Sequence, residues 1–153
     1  MKRFDLITIF PNSLDSYFTT SILKRAQGAK LIKIQAHNLR KYTLDKHRKV
    51  DDRVYGGGAG MVLQVEPVYR ALKALKVLPG KTVARKKVRV VLLSANGKQF
   101  SQADAKRLAK YERLVFICGR YEGVDARVEK FIDEKLSVGQ YVVTGGELPA
   151  AII

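Results

Sequence analysis

Residues 88–123 read VRVVLLSANGKQFSQADAKRLAKYERLVFICGRYEG, and their pattern predicts the fold. The segment begins with the apolar run Val88–Leu93 and ends with a second apolar run, Leu114–Cys118, followed by glycine. Short runs rich in branched residues predict buried β-strands. Between them, Ser101 and Asp104 have the spacing of a capping box that begins a helix. A strand, a helix and a second strand in this order predict a unit with parallel strands.

The same alternation of strands and helices extends along the rest of the chain. Further strands are predicted at Phe4–Phe10, Leu31–His37 and Ser137–Val143, and helices at about residues 12–27, 65–78, 102–110, 126–132 and from Glu147 onwards. The glycine-rich stretch 55–60 cannot be regular secondary structure. The chain is therefore predicted to form one α/β domain, residues 1–153, with a mostly parallel sheet flanked by helices.

The charge of the chain favours a polyanionic partner. The net charge is +15; residues 1–60 carry +7, residues 61–120 carry +11 and residues 121–153 carry −3. Such a surface attracts nucleic acid through its phosphates, although lysine-rich helix faces on an ordinary soluble protein would give the same composition. A single cysteine, Cys118, excludes an internal disulfide and suits a reducing cytoplasm. The apolar runs are too short to cross a bilayer.

Three predicted strand ends are followed by glycine, and together they predict a ligand-binding cleft. The junctions are Leu93–Gly97, Cys118–Gly123 and Val143–Gly146. Ligands of open α/β sheets bind beyond the carboxyl ends of the strands, where glycine lets the backbone approach them. For any one junction alone, a tight turn is the better interpretation, and only the three together favour a cleft. Gly80-Lys81-Thr82 is not a phosphate-binding loop, because Leu75 stands where its first glycine should be. The pattern does not exclude a nucleoside ligand that is held by backbone groups without a phosphate-binding loop.

Few side chains fit a catalytic role. Glu122, between two glycines, is the most interesting carboxylate, and an exposed loop charge is the alternative. His47 lies in a basic loop near Asp51 and suits substrate contact, whereas His37 at a predicted strand end suits a structural role. Neither histidine has metal-ligand spacing, and Cys118 is predicted to be a small buried residue. The residue pattern alone indicates a basic α/β ligand-binding protein.

Three longer motifs carry a resemblance to a known family. They are VDDRVYGGGAGM at residues 50–61, CGRYEGVD at residues 118–125 and SVGQYVVTGGELP at residues 137–149. In this order they resemble the TrmD family, bacterial tRNA methyltransferases that act on N1 of the guanosine at position 37, 3′ to the anticodon. The resemblance extends along essentially the whole chain. Val54 and Gln140 depart from it, since a proline and an acidic residue are common at these positions in the family.

The resemblance implies a SPOUT-type fold with a C-terminal deep trefoil knot. It also implies an obligate homodimer that binds S-adenosylmethionine in the knot, at the subunit interface. The implied cofactor-binding residues are Leu92, Leu93, Ser94, Gly97, Gly119, Tyr121, Glu122, Gly123, Ser137, Val138, Gly139, Tyr141, Val142, Val143, Gly145, Gly146 and Pro149. The implied substrate-binding residues, for guanine and tRNA, are His47, Asp51, Arg53, Tyr55, Gly57 and Gly58. Glu122 is expected to support catalysis.

The resemblance also implies parts that residues 1–153 do not contain. Family members continue through a linker, which supplies the aspartate proposed as general base, into a helical C-terminal domain that binds tRNA. The apolar ending 150–153 is expected to reflect truncation, with the base beyond Ile153, so the chain is expected to bind cofactor without efficient transfer. Magnesium is implied for transfer but has no ligand signature. The alternatives are a non-catalytic RNA-binding module, and a knotted methyltransferase for a different RNA base, against which residues 118–125 and 145–149 argue.

Overall fold

The computed structural model describes residues 1–54, 56–79 and 87–153; Tyr55 and the stretch Gly80-Lys81-Thr82 lie outside these ranges. The strands are β1 (Lys2–Thr8), β2 (Ile32–Asn38), β3 (Asp51–Arg53), β4 (Met61–Leu63), β5 (Val88–Gln99), β6 (Arg113–Cys118) and β7 (Glu134–Ser137). Five of them form one sheet in the order β2-β1-β6-β5-β7, and each of these pairings is parallel. β3 and β4 form a separate antiparallel hairpin. The predicted α/β class with a parallel sheet is confirmed.

Helices cover both faces of this sheet. They are α1 (Asp15–Phe18), α2 (Ser21–Gly28), α3 (Val65–Ala74), α4 (Gln102–Leu108) and α5 (Glu147–Ile152), with 3₁₀ helices at Leu39–Tyr42 and Ala126–Phe131. Because successive strand residues point to opposite faces, neighbours divide between two apolar clusters. Val90 packs with Leu72 of α3 on one face, and Val91 packs with Leu108 of α4 on the other. The parallel sheet is thus buried on both sides.

The capping box predicted at the start of α4 is confirmed. The Ser101 hydroxyl accepts a hydrogen bond from the backbone N–H of Asp104, and the Asp104 carboxylate accepts one from the backbone N–H of Ser101. Other predicted boundaries are less accurate, since α3 ends at Ala74 and residues 126–131 form a 3₁₀ helix instead of an α-helix.

The predicted single helix over residues 12–27 is wrong, because α1 and α2 are separated at Thr19 and Thr20. The hydroxyls of both threonines donate to backbone carbonyls four residues earlier. Such bonds compete with the backbone amides that would continue the helix. The sequence also predicts Asn12 or Ser13 as the N-cap of this helix, and this is wrong because the N-cap residue of α1 is Leu14.

The two predictions that concern strand ends around residues 94–97 and 137–143 need correction. β5 continues to Gln99, and Leu136 of β7 pairs with both Leu93 and Lys98, so residues 94–97 form an excursion within β5 in place of a turn after it. The predicted strand Ser137–Val143 ends at its first residue. The Ser137 hydroxyl bonds both the carbonyl and the amide of Gly139, and this local turn replaces further pairing.

A buried carboxylate ties three neighbouring strands together. Asp5 of β1 is fully buried and accepts hydrogen bonds from Arg3 at 2.9 Å, from His37 of β2 at 2.6 Å and from Arg113 of β6 at 2.7 Å. Burial by itself raises the pKa of Asp5. The hydrogen bonds from His37, Arg3 and Arg113 outweigh this effect and hold the pKa below its ordinary value.

We expect Asp5→Asn to lower the free energy of unfolding at pH 7 by about 3 kcal/mol, because it leaves the partly buried guanidinium groups of Arg3 and Arg113 without their anion. The folded-state pKa of Asp5 is lowered, so its stabilisation is present above the ordinary aspartate pKa and is lost as the pH falls below about 4. Urea unfolding followed by circular dichroism should therefore show wild type and variant converging in acid. The exposed Asp15→Asn is the control, and equal stabilities of wild type and Asp5→Asn at pH 7 would contradict the expectation.

Candidate ligand-binding site

A cavity of about 330 Å³ lies beside the excursion within β5 and at the carboxyl ends of β6 and β7. Its wall is made by residues from three segments, 92–96, 119–129 and 135–149. Small-molecule sites in proteins have volumes of roughly 300–1,000 Å³. The carboxyl edge of a parallel sheet is also where α/β proteins bind ligands. The cavity therefore has the size and the position of a ligand site.

The structure brings nearly all of the predicted cofactor-binding residues to this cavity. Those that line it are Leu92, Leu93, Ser94, Gly119, Tyr121, Glu122, Gly123, Ser137, Val138, Tyr141, Val142, Val143, Gly145, Gly146 and Pro149. Gly97 and Gly139 do not. A Cβ on Gly97 would lie 2.7 Å from backbone atoms of Leu136, and a Cβ on Gly139 would collide with the ring of Tyr141. These two glycines permit close packing behind the wall.

Sequence reasoning missed other lining residues. They are Ala95, Asn96, Arg120, Val124, Ala126, Glu129, Lys135, Leu136 and Thr144. Several lie within the three predicted junctions, and taking each junction as a whole loop would have included them. Glu129 and Lys135 come from the 3₁₀ helix and from β7, and they form an ion pair at 2.8 Å. Nothing in their local sequence distinguishes them from ordinary surface charges.

The floor of the cavity depends on a close contact between two parts of the backbone. The N–H of Gly146 donates to the carbonyl of Gly119 at 2.9 Å. A Cβ on Gly146 would lie 2.5 Å from the Cα of Cys118 and 3.0 Å from the nitrogen of Gly119. Only glycine permits this approach without displacing the end of β6.

A buried carboxylate holds the start of α5 against the ends of β1 and β6. Glu147 is 3% exposed. One of its oxygens accepts a hydrogen bond from the Thr8 hydroxyl at 2.5 Å, and the other accepts from the Arg120 guanidinium, with Nη2 at 3.1 Å. The Arg120 guanidinium also stacks 4.6 Å above the ring of Phe10. Arg120 is therefore neutralised by Glu147, although it lines the cavity.

The β3–β4 hairpin is attached to the loop that follows β6. Glu122 N–H donates to Met61, Leu63 N–H donates to Gly123, and Asp125 N–H donates to Leu63, at 2.9 to 3.0 Å. These bonds place the end of the glycine-rich loop beside the cavity. A Cβ on Gly60 would lie 2.6 Å from Cγ of the Glu122 side chain.

Tyr121 makes a second connection between the cavity and the hairpin. Its backbone has a positive φ of 61°, a conformation that residues other than glycine rarely adopt. Partial burial raises the pKa of Tyr121, and its hydrogen bond with Asp51 raises the pKa further, whereas Arg40 opposes this effect. Because Tyr121 lines the cavity, it links Asp51 of the predicted substrate region to the predicted cofactor region.

The other predicted substrate residues within the described ranges are exposed, Arg53 at the end of β3 and the rest on loops. His47 and Arg53 are exposed, as are Gly57 and Gly58, whose φ values of 80° and 125° require glycine. Tyr55 lies outside the described residues. The part of the chain that the structure describes thus brings the glycine-rich loop and Asp51 next to the cavity, while no contact joins His47 to it.

The charges that line the cavity are unsuited to a phosphate group. Its two cationic lining residues, Arg120 and Lys135, are paired with Glu147 and Glu129. Glu122 adds a further carboxylate. Within the described ranges no cluster of three or more His, Cys, Asp or Glu side chains could hold a metal ion. The same ranges contain no helix that is long and apolar enough to span a membrane.

Cys118 is buried next to the cavity, as predicted. Burial raises the pKa of its thiol well above the ordinary value, and the Glu147 carboxylate raises the pKa further. A nucleophilic thiolate is therefore disfavoured at this position.

Comparison with known proteins gives consistent matches along the chain. The family model for tRNA (guanine-1)-methyltransferase TrmD matches residues 1–153. The chain is 48% identical over 153 residues to the tRNA (guanine-N(1)-)-methyltransferase of Dictyoglomus turgidum, covering 100% of the chain and 59% of that protein. It is 47% identical over 146 residues to the enzyme of the same name from Clostridium novyi, covering 95% and 57%.

A solved structure has the same fold. The crystal structure of tRNA (m1G37) methyltransferase from Aquifex aeolicus matches with a TM-score of 0.84 and 35% identity. The match covers 99% of this chain and 65% of that one. The chain therefore spans about three fifths of the length of the curated relatives it matches.

The contact between Gly146 and the end of β6 gives a test of this architecture. Gly146→Ala should lower the free energy of unfolding by about 1–3 kcal/mol, because its methyl group meets backbone atoms that cannot easily move. Gly28→Ala in α2 meets no atom within 4 Å and should be neutral or raise stability by about 0.5 kcal/mol. Chemical unfolding of both variants measures the difference. Equal effects of the two substitutions would contradict the close approach.

Proposed function

The chain belongs to the TrmD family of tRNA (guanine-1)-methyltransferases, and we propose that the whole protein transfers a methyl group from S-adenosylmethionine to N1 of guanosine 37 in tRNA. In this proposal residues 1–153 form the domain that binds the methyl donor. The proposal rests on the cavity at the β5 excursion and the ends of β6 and β7, because residues of the family motifs lie together in its wall. Since the matched relatives are longer, transfer is proposed for the whole protein, and residues 1–153 alone are expected to bind the donor without efficient transfer.

The cavity fits S-adenosylmethionine better than a nucleotide with phosphates. Leu92, Val138 and Pro149 offer an apolar wall for the adenine, and the glycine backbones offer amides and carbonyls for its polar edge. Among the described residues the Glu122 carboxylate in the lining has no salt bridge, while both lining cations are already paired. A ligand with a positively charged sulfur and no phosphate matches this charge distribution.

The hairpin and Glu122 are proposed to act on the guanine. Bound S-adenosylmethionine supplies an activated methyl group. Guanine N1 carries a proton at neutral pH, and a base within hydrogen-bond reach must remove it to expose the lone pair. Glu122, beside Gly60 and in the cavity lining, is proposed as a supporting carboxylate. Arg53 and the amides of Gly57 and Gly58 are proposed to stabilise the charge that develops on O6.

A trefoil knot is proposed for the two segments that connect β6 to β7 and β7 to α5. From β6 in the middle of the sheet, residues 119–133 lead outward to β7 at its edge, and residues 138–146 lead back from β7. The returning segment ends where Gly146 bonds Gly119, and α5 then packs against β1 and β6. The chain thus passes β5 once on its way out to β7 and once on its way back, and this return path supports the proposed knot.

tRNA is the proposed partner, and the cytoplasm is the proposed location because the proposed substrate is used there. The charge of +7 on residues 1–60 and +11 on residues 61–120 supports the RNA partner. Magnesium has no ligand cluster in the described ranges, and no step that uses it is proposed.

A homodimer with the active site at its interface is also proposed. Leu148 and Ile152 lie four residues apart on α5 and are 58% and 59% exposed, while Pro149 and Ala150 of the same helix are buried. An apolar pair at this spacing forms an outward stripe next to the cavity. Burial of this stripe by a second copy would complete the wall that Pro149 begins.

Donor binding is tested by calorimetric titration of S-adenosylhomocysteine into the chain. Wild type should bind one molecule per protomer, and Val138→Trp should abolish binding, because the indole occupies the cavity. The control is Leu31→Trp, an exposed position before β2 at the opposite end of the sheet. No binding to a folded wild-type chain, or equal binding by wild type and Val138→Trp, would overturn the proposal.

The dimer is tested by light scattering after size-exclusion chromatography. Leu148→Asp should convert a dimer into a monomer, because a charged carboxylate replaces an apolar contact. Leu44→Asp, at an exposed apolar position on the loop after the first 3₁₀ helix, should leave the dimer unchanged. A wild-type chain that is monomeric at micromolar concentration would refute this part of the proposal.

A further inference from the structure

The end of the sheet opposite the cavity carries a row of lysines. We name Lys2, Lys30, Lys76, Lys87 and Lys110 the lysine edge. Lys2 begins β1, Lys30 lies just before β2, and Lys87 lies just before β5. Lys110 lies between α4 and β6, and Lys76 follows α3. All five therefore sit where strands begin and helices end.

Backbone and side-chain contacts place Lys2, Lys30 and Lys110 side by side. Lys2 donates from its backbone N–H to the carbonyl of Leu31 at 2.9 Å, next to Lys30 in the chain. Its side chain donates to the carbonyl of Ala109, next to Lys110. Lys2 thus lies between Lys30 and Lys110.

The other two lysines extend the row toward β5 and α3. The carbonyl of Lys87 accepts the N–H of Glu112 at 3.0 Å. Arg113 of β6 donates to the carbonyl of Leu75 at 2.9 Å, and Lys76 is the next residue. Strands of a sheet lie about 4.8 Å apart, so the row from β2 to β5 spans roughly 15 Å. This length is enough to face several phosphates of a nucleic-acid strand.

The positive charge of the lysine edge is largely uncompensated. Lys87 pairs with Glu112 at 2.6 Å. Lys30, Lys76 and Lys110 are exposed, and none of them forms a salt bridge within the described ranges. By sequence, residues 80–86 contain no acidic side chain that could neutralise them. Three ammonium groups that have no salt bridge within the described ranges therefore lie along one edge of the sheet.

Two of these lysines occupy a backbone conformation that favours glycine. Lys30 and Lys76 have φ values of 56° and 57°. At both helix ends the backbone N–H of the residue after the lysine donates to the carbonyl five residues earlier. These bonds join Leu31 to Ala26 and Val77 to Leu72, each at 3.0 Å. Glycine is the usual residue at this position of such a helix end, and any side chain there is strained. Two helix ends thus carry lysine in a conformation that is unfavourable for it, which indicates that the ammonium group has a function there. The alternative explanation is that the ammonium group stabilises the helix dipole.

We propose that the lysine edge binds the phosphodiester backbone of RNA, at a surface separate from the cavity. β1 has seven residues, so this surface lies roughly 20–25 Å from the carboxyl end of the sheet. It would contact a part of the tRNA remote from the methylated base. The assignment of tRNA as the RNA rests on the proposed function. Phosphate contacts of this kind position an RNA and carry no base specificity.

The salt dependence of RNA binding tests the proposal. A fluorescent, unmodified tRNA transcript is titrated with the chain at several KCl concentrations. Lys30→Gly/Lys76→Gly should reduce the slope of log K against log salt by about 1.5–2, since each phosphate contact contributes about 0.9, and should weaken binding about tenfold. Its melting temperature should be no lower than that of wild type, because glycine relieves the positive φ. Lys30→Arg/Lys76→Arg, which keeps the charge and the strain, should bind tRNA as wild type does.

The controls separate this proposal from its alternatives. Lys130→Gln removes an exposed charge from the 3₁₀ helix at residues 126–131 and should leave the slope of log K against log salt unchanged. If it reduced the slope as much per charge as the glycine pair does, only net charge would matter, and the proposal would be overturned. A wild-type slope in the glycine pair, with a lower melting temperature, would show helix-end stabilisation alone and would also overturn it.

S-adenosylhomocysteine titration of the same proteins distinguishes the two proposals. A reduced slope in the glycine pair supports the lysine edge even if no S-adenosylhomocysteine binds, in which case only the proposed function fails. Normal S-adenosylhomocysteine binding with identical slopes would leave the proposed function intact and overturn the lysine edge. Failure of the wild-type chain to bind tRNA would overturn the lysine edge and the proposed partner together.

Discussion

All five strands of the sheet run in one direction, and this constraint separates the molecule into two chemically different ends. All five strands point their carboxyl ends to one edge, so the excursion within β5 and the loops after β6 and β7 meet there and enclose the cavity. Every preceding helix must end near the opposite edge, and the positive side chains that suit helix C-termini gather there. The separation of a ligand cavity from a basic edge therefore follows from parallel pairing, before any individual side chain is considered.

The cavity itself depends on how the chain returns from β7 to the middle of the sheet. Gly146 can touch the backbone of Cys118 because it has no side chain, and this contact brings Glu147 within reach of Thr8 and Arg120. A buried carboxylate is stable only if it is paired and hydrogen-bonded, and both conditions are met here. The glycine and the ion pair thus act together: one permits the approach, and the other fixes it.

Local rules predicted the parallel sheet, the capping box of α4 and the clustering of three glycine junctions. They could do so because hydrophobic periodicity, strand and helix propensity and capping residues depend only on residues that are close in the sequence. They failed where distant contacts decide. The excursion at residues 94–97 exists because Leu136 of β7 pairs on both sides of it, and the attachment of the hairpin to residues 122–125 comes from bonds between segments about 60 residues apart. The resemblance names most residues of the cavity wall, and it also names Gly97 and Gly139, which do not line the cavity and pack closely against Leu136 and Tyr141. Glycine in a motif does not by itself distinguish these uses.

The distribution of charge completes this division of the molecule. The last 33 residues carry −3 and supply much of the cavity wall, whereas the preceding 120 residues carry +18. A phosphate-rich RNA is attracted to the basic part and gains nothing from entering a cavity whose cations are already paired. A cationic small molecule has the opposite preference. Because Glu122 and Tyr121 line the cavity and contact the β3–β4 hairpin, the proposed RNA and the proposed methyl donor would meet beside that hairpin.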